Sequence, residues 1–571
     1  MSQTNQTQLP QLPNYVASSK PIPQSSRSGW LTTTAATYAG VMLWFVFWQD
    51  VPTGGQAVAG GTLAIGLLPA IIALTVAAVL CHILYFMVPG LLGMKTGLPL
   101  SVVGTSTYGV TGGFLMPGLL MGLLQFGWLS VNAFFSGLLL AAPFVEGGVE
   151  KAAMSPLHLG IATVWALFAM FMGLKGIKYV GAVASFMPII PIAILAILLF
   201  NVVSKQKEFN PADLWSMEQN TKFFSVDTLA KAAEDKIANA KSQLPEDLKV
   251  LDEFCKTNGY VGTFDEATQK EFKALEKTYL ATKATSELKP ATLYEKELNN
   301  PTLSKQLGVF SLIAAYVIGF FATAGAAGVG ICSVVRSRMA VQLGGFFGIL
   351  LPTVLSGAAA LIIVAGAQNI AIEAGKPELL TAYNVPGLFD LLLPQPLFGT
   401  TLTLGSACMF LLAVAAFPSA CFCTLIAADS IKTSFPEINP WASCGVGVAA
   451  AIALVLTGLA GQASDVFTVI GASFGPICGA MAADYILSGF KWAGPRAGFN
   501  AAGWLSWLVG FIVGGATLVV TKFLGQTMPF EIPCPPLSAF IVGFVLYIVF
   551  ASMGLQSKKL NMPQRIDVQT K

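Results

Sequence analysis

Charge is scarce in this chain. Of its 571 residues only 11% are Asp, Glu, Lys or Arg, where a soluble domain carries roughly 25%. Hydrophobic residues make up 54%, and mean hydropathy is +0.69. A soluble globular fold is therefore excluded. The net charge is only +3 and no basic block stands outside the tails, so nucleic acid is not an expected partner. The first 29 residues are polar and rich in Ser, Gln and Pro, without an apolar core or cleavage site, so no signal peptide is expected. Nine cysteines form no framework. Most lie in apolar runs, and Cys421-Phe422-Cys423 lacks zinc spacing. Only Cys255 and Cys534 read as exposed outside; a disulfide between them is left open, with nothing in the sequence to support it. P-loop, heptad and GxGxxG patterns are missing. Histidine is also rare: His82 stands alone in the second apolar run and reads as a packed core residue.

What the chain has instead is long apolar runs. Runs of about 18 apolar residues or more read as membrane spans. Twelve are expected, near 31–58, 62–90, 109–142, 157–177, 180–203, 309–334, 340–367, 397–428, 440–460, 465–487, 500–523 and 535–556. With the N-terminus inside, fourteen Lys and Arg fall in inside segments and three in short outside loops. This bias places both termini in the cytoplasm. The expected location is the cell (inner) membrane. The expected divisions are a tail at 1–29, spans 1–5 at 30–204, an external insertion at 205–305, spans 6–10 at 306–487, spans 11–12 at 488–556 and a tail at 557–571. The insertion holds fifteen Lys and seventeen acids, a net of −2. Thr263 and Glu266 match a helix capping box there. It reads as a small helical cap, either a surface for an extracytoplasmic partner or a solvated insertion with no part in the activity.

One charge interrupts the apolar N-terminal half. Asp50 is the only charged residue between Arg27 and Lys95, and Pro52-Thr53-Gly54-Gly55 follows it. A carboxylate at membrane depth persists where protein, water, an ion or a ligand compensates it. Pro and paired Gly favour a helix break. An acid beside such a break points to a transporter binding site; the plainer reading is a cap on the second half-helix. In the third span Gln125, Trp128 and Asn132 are spaced i, i+3, i+7 and share one face. An indole beside two carboxamides suits a flat, hydrogen-bonding heterocycle. The same residues also serve as an ordinary packing aromatic and an interhelical hydrogen bond.

Three stretches resemble the nucleobase–cation symporter-1 family. They are Gln125-Phe126-Gly127-Trp128-Leu129-Ser130-Val131-Asn132, Gly319-Phe320-Phe321-Ala322-Thr323, and Gly475-Pro476-Ile477-Cys478-Gly479-Ala480-Met481-Ala482-Ala483-Asp484-Tyr485. The resemblance implies an all-α membrane fold of about twelve spans, with a LeuT-like 5+5 inverted repeat and broken helices 1 and 6. Pro52, Gly54 and Gly55 would break the first span, and Gly325 and Gly328 the sixth. The resemblance also implies cation-coupled symport of a nucleobase or related small nitrogen heterocycle by alternating access. By that resemblance Trp128 and Phe321 would sandwich the ring and Asn132 would bond its edge; Gln125 on the same face, and Gln49 and Asp50 at the first-span break, are the further groups expected to bond it. Asp484 and Tyr485 would be signature or gate residues.

The match departs in span eight. Ala415-Ala416-Phe417-Pro418-Ser419-Ala420 keeps one hydroxyl where the family has a Thr/Ser pair and an Asn. Ser419 and Ala415 would hold sodium if sodium is used, with fewer oxygen ligands than a hard cation wants. That departure adds weight to Asp50 as a proton site, since burial raises a carboxylate's pKa. Asp429, Asp465 and Asp484 lie near span ends and read as caps or gate contacts. Two other activities fit the residues: a carrier of a cationic amine or amino acid with Asp50 as counter-ion, and a transport-inactive receptor or scaffold. No nucleophile–base or metal set lies at one depth, so an enzyme is not expected. No cofactor is expected beyond Na+ or H+ as coupling ion. The expected partners are a small-molecule substrate and the lipid bilayer.

Overall fold

The computed structural model describes residues 12–30, 61–145, 151–175, 187–205, 303–373, 389, 391–397, 402–435, 437–526, 528 and 532–562, with 267, 270 and 271. The first span, with Gln49, Asp50, Pro52, Gly54 and Gly55, lies outside the described residues. So do Cys255 and nearly all of the 205–305 insertion.

The described elements are helices. A short α1 (Asn14–Ala17) lies in the N-terminal tail. It is followed by α2 (Leu67–Thr96), α3 (Thr105–Phe144), α4 (Pro156–Leu174), α5 (Ile189–Val202) and α6 (Leu303–Ser333). Then come α7 (Arg338–Ala367), α8 (Leu404–Ser434), α9 (Pro440–Leu456), α10 (Ala463–Leu487), α11 (Ala501–Phe523) and α12 (Pro535–Ser552). Among the described residues nine helices are long and apolar enough to cross a membrane, and α5 and α9 are apolar but shorter. They are apolar nearly all round, as helices facing lipid or other helices must be. Within lipid a helix satisfies its own backbone. Polar residues are kept for the ends: Ser155, Ser337, Thr403 and Asn439 cap α4, α7, α8 and α9 by accepting from backbone N–H groups.

The apolar interior divides into two clusters. The first joins α2, α6, α7, α10 and α12 around Tyr85, Phe86, Phe321, Phe467 and Phe474. The second joins α3, α4, α8 and α9 around Phe126, Phe134, Ala162, Ala166, Ala420 and Ala451. The helices α10 and α6 lie deepest, with 83% and 65% of their apolar stretches buried. Pro476 of α10 fits against Gly510 of α11 and Gly543 of α12, where an added Cβ would come within 2.6 Å of it. That notch clamps α10, α11 and α12 together.

The break expected in the sixth span at Gly325 and Gly328 is not there: α6 runs as one helix from Leu303 to Ser333. These glycines admit a neighbour instead. A Cβ on Gly325 would lie 2.7 Å from the Tyr85 carbonyl oxygen, and one on Gly328 would meet the Phe86 ring at 3.1 Å. Both neighbours sit in a π-helical stretch of α2, Cys81–Met87. A second π-helical stretch, Phe346–Leu350, lies in α7 and packs against the first. A local interruption does occur in α3, at Gly109 (φ 81°). A side chain there would collide with the Gly498 carbonyl oxygen at 2.2 Å, so glycine meets both a conformational and a steric demand.

Both tails lie on one face. The Ile22 N–H donates to the Gly97 carbonyl (3.0 Å), Ser28 to Val334 (2.8 Å), and Leu560 to Pro495 (2.7 Å). Arg27 is buried and donates to the Ile22 carbonyl at 3.0 Å and to that of Met94. Tyr15 donates to the Val110 carbonyl of α3, and burial holds its hydroxyl well above the usual tyrosine range. The N-terminal tail thus ties α2 and the α6–α7 turn to the start of α3. Cys534 was expected to be exposed; it is buried at the start of α12, where its N–H meets the Ser311 hydroxyl. Burial pushes its thiol up to about 12.

Candidate functional site

The third-span residues lie where the two clusters meet. Trp128 belongs to α3, which lines both clusters: Met121 and Val131 fall in the first, Phe126 and Phe134 in the second, and the Trp128 indole packs against the first. Its ring lies 4.8 Å from Phe320 of α6, edge-on at 78°, and 4.8 Å from Phe467 of α10, tilted by 34°. The indole N–H donates to the Thr323 hydroxyl at 3.1 Å. Phe321 is only 1% exposed and meets the ring of Phe320, 5.1 Å away. The aromatic of α6 that faces Trp128 is therefore Phe320, not the expected Phe321. Adjacent helical residues point about 100° apart, so only one of the pair can face α3.

Asn132 turns the other way. Its amide nitrogen donates to the Ala416 carbonyl of α8 at 3.0 Å, and its oxygen accepts from the Trp165 indole of α4 at 3.0 Å. Its carboxamide pins three helices of the second cluster. Gln125 is buried, and its amide nitrogen has the Met121 sulfur at 3.5 Å. A thioether is a weak acceptor, so this carboxamide is the more loosely held. The shared face expected for Gln125, Trp128 and Asn132 is thus divided, Trp128 turning to α6 and α10 and Asn132 to α4 and α8.

In α8, Ala415 is buried and Ser419 half-buried, inside a continuous helix that contains Pro418. Proline has no N–H, so the Val414 carbonyl loses its intrahelical donor. Pro418 thus frees one carbonyl of α8, five residues before Ser419; that carbonyl and the Ser419 hydroxyl are oxygens of the kind a hard cation takes. Residues of the first span that would complete such a site lie outside the described residues. Among the described residues no group of three His, Cys, Asp or Glu could hold a metal ion.

Asp484 and Tyr485 sit at the tail-bearing end of α10. Asp484 is 2% exposed and pairs with Arg496, Oδ1 to guanidinium 3.4 Å. The Tyr547 hydroxyl of α12 donates to Oδ1 at 2.7 Å, and the Thr107 hydroxyl of α3 to Oδ2 at 3.4 Å. Arg496 also donates to the Ser106 carbonyl at 2.8 Å. The Asn500 side chain donates to the Thr107 carbonyl (2.7 Å) and accepts from the Ser557 N–H (2.9 Å). This buried network joins α3 to α10, α12 and the α10–α11 turn. Of its members only Asp484 is legible in the sequence; Arg496 and Asn500, Tyr547, and Thr107 come from three separate stretches. The one available signal was Arg496 itself, a cation just beyond a span end. Tyr485 accepts from the Lys95 ammonium at 2.8 Å. Asp465 lies in the first turn of α10 and pairs with Lys522 at 3.3 Å. His82 is half-buried in the π-helical stretch of α2, near-parallel to Phe86 at 6.4 Å, with its Nδ1 buried and without a described partner.

No family model matches the chain, and no curated protein matches it in sequence. Solved structures do match. One is Mhp1, a nucleobase-cation-symport-1 family transporter, in a closed conformation with bromovinylhydantoin bound. The likeness has a TM-score of 0.52 and 13% identity, over 95% of this chain and 96% of that one. The inward-facing conformation of Mhp1 matches equally, with a TM-score of 0.52 and 14% identity over 95% of each chain. Near-complete coverage of both chains, with apolar helices throughout, makes this an all-helical multi-pass membrane protein with the fold of a nucleobase-cation-symport-1 transporter.

Proposed function

We propose that this chain is a cation-coupled secondary transporter of the nucleobase–cation symporter-1 family, carrying a nucleobase or a related small nitrogen heterocycle by alternating access. The observation that carries this reading is the place of Trp128. It projects from α3, the helix that lines both apolar clusters, onto aromatic rings of α6 and α10, at the seam where two packed bodies can part. A flat ring entering that seam would stack on the indole in place of Phe320 or Phe467. Its hydrogen-bonding edge would meet Gln125 first, because Asn132 is committed to Trp165 and Ala416. Asp50 and Gln49 would complete the edge from the first span. Ser419, the Val414 and Ala415 carbonyls and Asp50 are the groups proposed for Na+ or H+ coupling. The face carrying both tails would be cytoplasmic, in keeping with the Lys and Arg bias.

The test is uptake into proteoliposomes of labelled cytosine, hypoxanthine, allantoin and a simple amine, under sodium and proton gradients separately. The expected result is flux of a heterocycle, with Trp128→Ala weakening its apparent affinity by about 10- to 100-fold, the worth of roughly 1–3 kcal/mol of ring stacking. Flux of the amine alone, unchanged in Trp128→Ala, overturns the substrate class. Binding without flux under either gradient overturns transport.

A further inference from the structure

A cavity of about 420 Å³ opens on the tail-bearing face, away from Trp128. Four separated stretches build it: Ser19 of the N-terminal tail, Lys95 and Thr96 at the end of α2, Lys491 and Trp492 after α10, and Met562 of the C-terminal tail. Its lining holds two ammonium groups and no carboxylate. One ammonium is fixed. Lys95 Nζ donates to the Tyr485 hydroxyl at 2.8 Å and the Phe490 carbonyl at 2.6 Å, and lies 5.1 Å above the Tyr485 ring. An ammonium has three donors, so one is left for a ligand. Lys95 also offsets the negative end of α2, which accounts for part of its charge.

Lys491 has no such account. It stands four residues beyond the end of α10, past the last turn over which a helix end acts. It is exposed, and no partner is described for it. The wall beside it is rigid, because the Trp492 indole donates to the Val103 carbonyl at 2.9 Å. The hydroxyls of Thr96 and Ser19 are turned to their own helices, onto the Leu92 and Tyr15 carbonyls. The cations therefore supply the recognition. A half-buried tryptophan beside two lysines, one at a helix end and one in a turn, is the arrangement found where a protein meets the headgroup layer.

We propose that this cavity binds an anionic phosphate group, held between Lys95 and Lys491, with the headgroup of an anionic lipid and free phosphate as the two sources of that chemistry. The ligand would touch both tails, α2 and the α10–α11 turn at once. It would bind best when these segments are together, and would favour the state in which this face is closed.

The test uses the full chain in detergent and the variant Lys491→Gln. Lys95 also holds the end of α10, so Lys491 is the decisive position, and unchanged elution and melting of its variant report an intact fold. Lys175→Gln, at the end of α4 and outside the cavity, is the control. Native mass spectrometry with added phosphatidylglycerol or phosphatidylcholine reads the lipid source. Thermal melting with inorganic phosphate, in lipid-free detergent, reads the other. Retention of phosphatidylglycerol but not phosphatidylcholine, weakened about fivefold by Lys491→Gln and not by Lys175→Gln, supports the site with a lipid occupant. A phosphate-dependent rise in melting temperature that Lys491→Gln abolishes supports it with free phosphate. Binding of neither probe, or binding equal in wild type and Lys491→Gln, overturns the proposal.

Discussion

The two apolar clusters are held together by different means. In the second, polar side chains cross between helices. Asn132 links α3 to α4 and α8; His158 of α4 reaches the Phe134 carbonyl at 2.9 Å; Thr424 of α8 donates to the Ala169 carbonyl at 3.2 Å. In the first, the contact of α6 with α2 rests on glycine. Gly325 and Gly328 receive Tyr85 and Phe86, and a Cβ on Gly93 would strike the Val329 carbonyl oxygen at 2.0 Å. Two π-helical stretches, in α2 and α7, lie in this same cluster. Polar bonds fix helices in one register. Small residues let helix backbones approach closely. The α6–α2 contact of the first cluster is thus packed by shape, where the second adds polar pins to close contacts of its own, such as Gly447 against the Phe126 ring, and stretches of π-helix often mark functional places. Alternating access asks for such a pair: bodies that keep their interiors while the seam between them opens.

Within the first body, the buried Arg496–Asp484 pair gives the largest expected effect. Arg496→Met leaves Asp484 buried without its cation and should cost about 3–5 kcal/mol, read as a lower melting temperature in detergent. Adding Asp484→Leu should recover much of the loss, since a buried pair replaced by apolar groups is often near neutral. If the double variant melts no higher than the single one, the pair is not what holds this end of α10.

Next in size is overpacking of the glycine contact. Gly325→Ala places a methyl group against Tyr85 and should destabilise by about 1–3 kcal/mol. A neutral or stabilising outcome would mean that α6 and α2 are not in contact there, and the contrast between clusters would lose its main support. On the other side, Asn132→Leu removes two interhelical bonds and should cost about 1–2 kcal/mol, measurable before any ligand is added. Stability left untouched, with transport lost, would make Asn132 a substrate contact and not a pin.

The smallest effect concerns the edge of the first cluster. Burial holds the Cys534 thiol neutral up to about 12. Its maleimide labelling in the folded protein should stay negligible and should not speed up between pH 7 and pH 9, as followed by mass spectrometry. Rapid labelling that accelerates over that range would show an exposed thiol and an open start of α12.

Spans were the most legible part of this chain. The expected runs 465–487 and 535–556 appear as Ala463–Leu487 and Pro535–Ser552, because apolar length alone decides a crossing helix. Glycine was misread in span six. Sequence cannot separate a glycine that breaks a helix from one that admits a neighbour, since the difference lies in the position of Tyr85, some 240 residues away. The site was half legible. Trp128 stood out as an indole between carboxamides, but its partners Phe320, Thr323 and Phe467 depend on which way α6 and α10 turn. The Asp484 network was legible only at Asp484, as its other members come from α3, α12 and a turn.

The central claim is that two bodies, met at Trp128, move against each other. Spin labels at positions 339 and 441 sample it directly. Met339 is exposed at the start of α7 in the first body, and Trp441 at the start of α9 in the second. The labels would be placed in a variant whose nine native cysteines are replaced. The account predicts two distance populations across this face, whose balance shifts when a transported heterocycle and its coupling ion are added. One narrow population, unmoved by any ligand that binds, would contradict it.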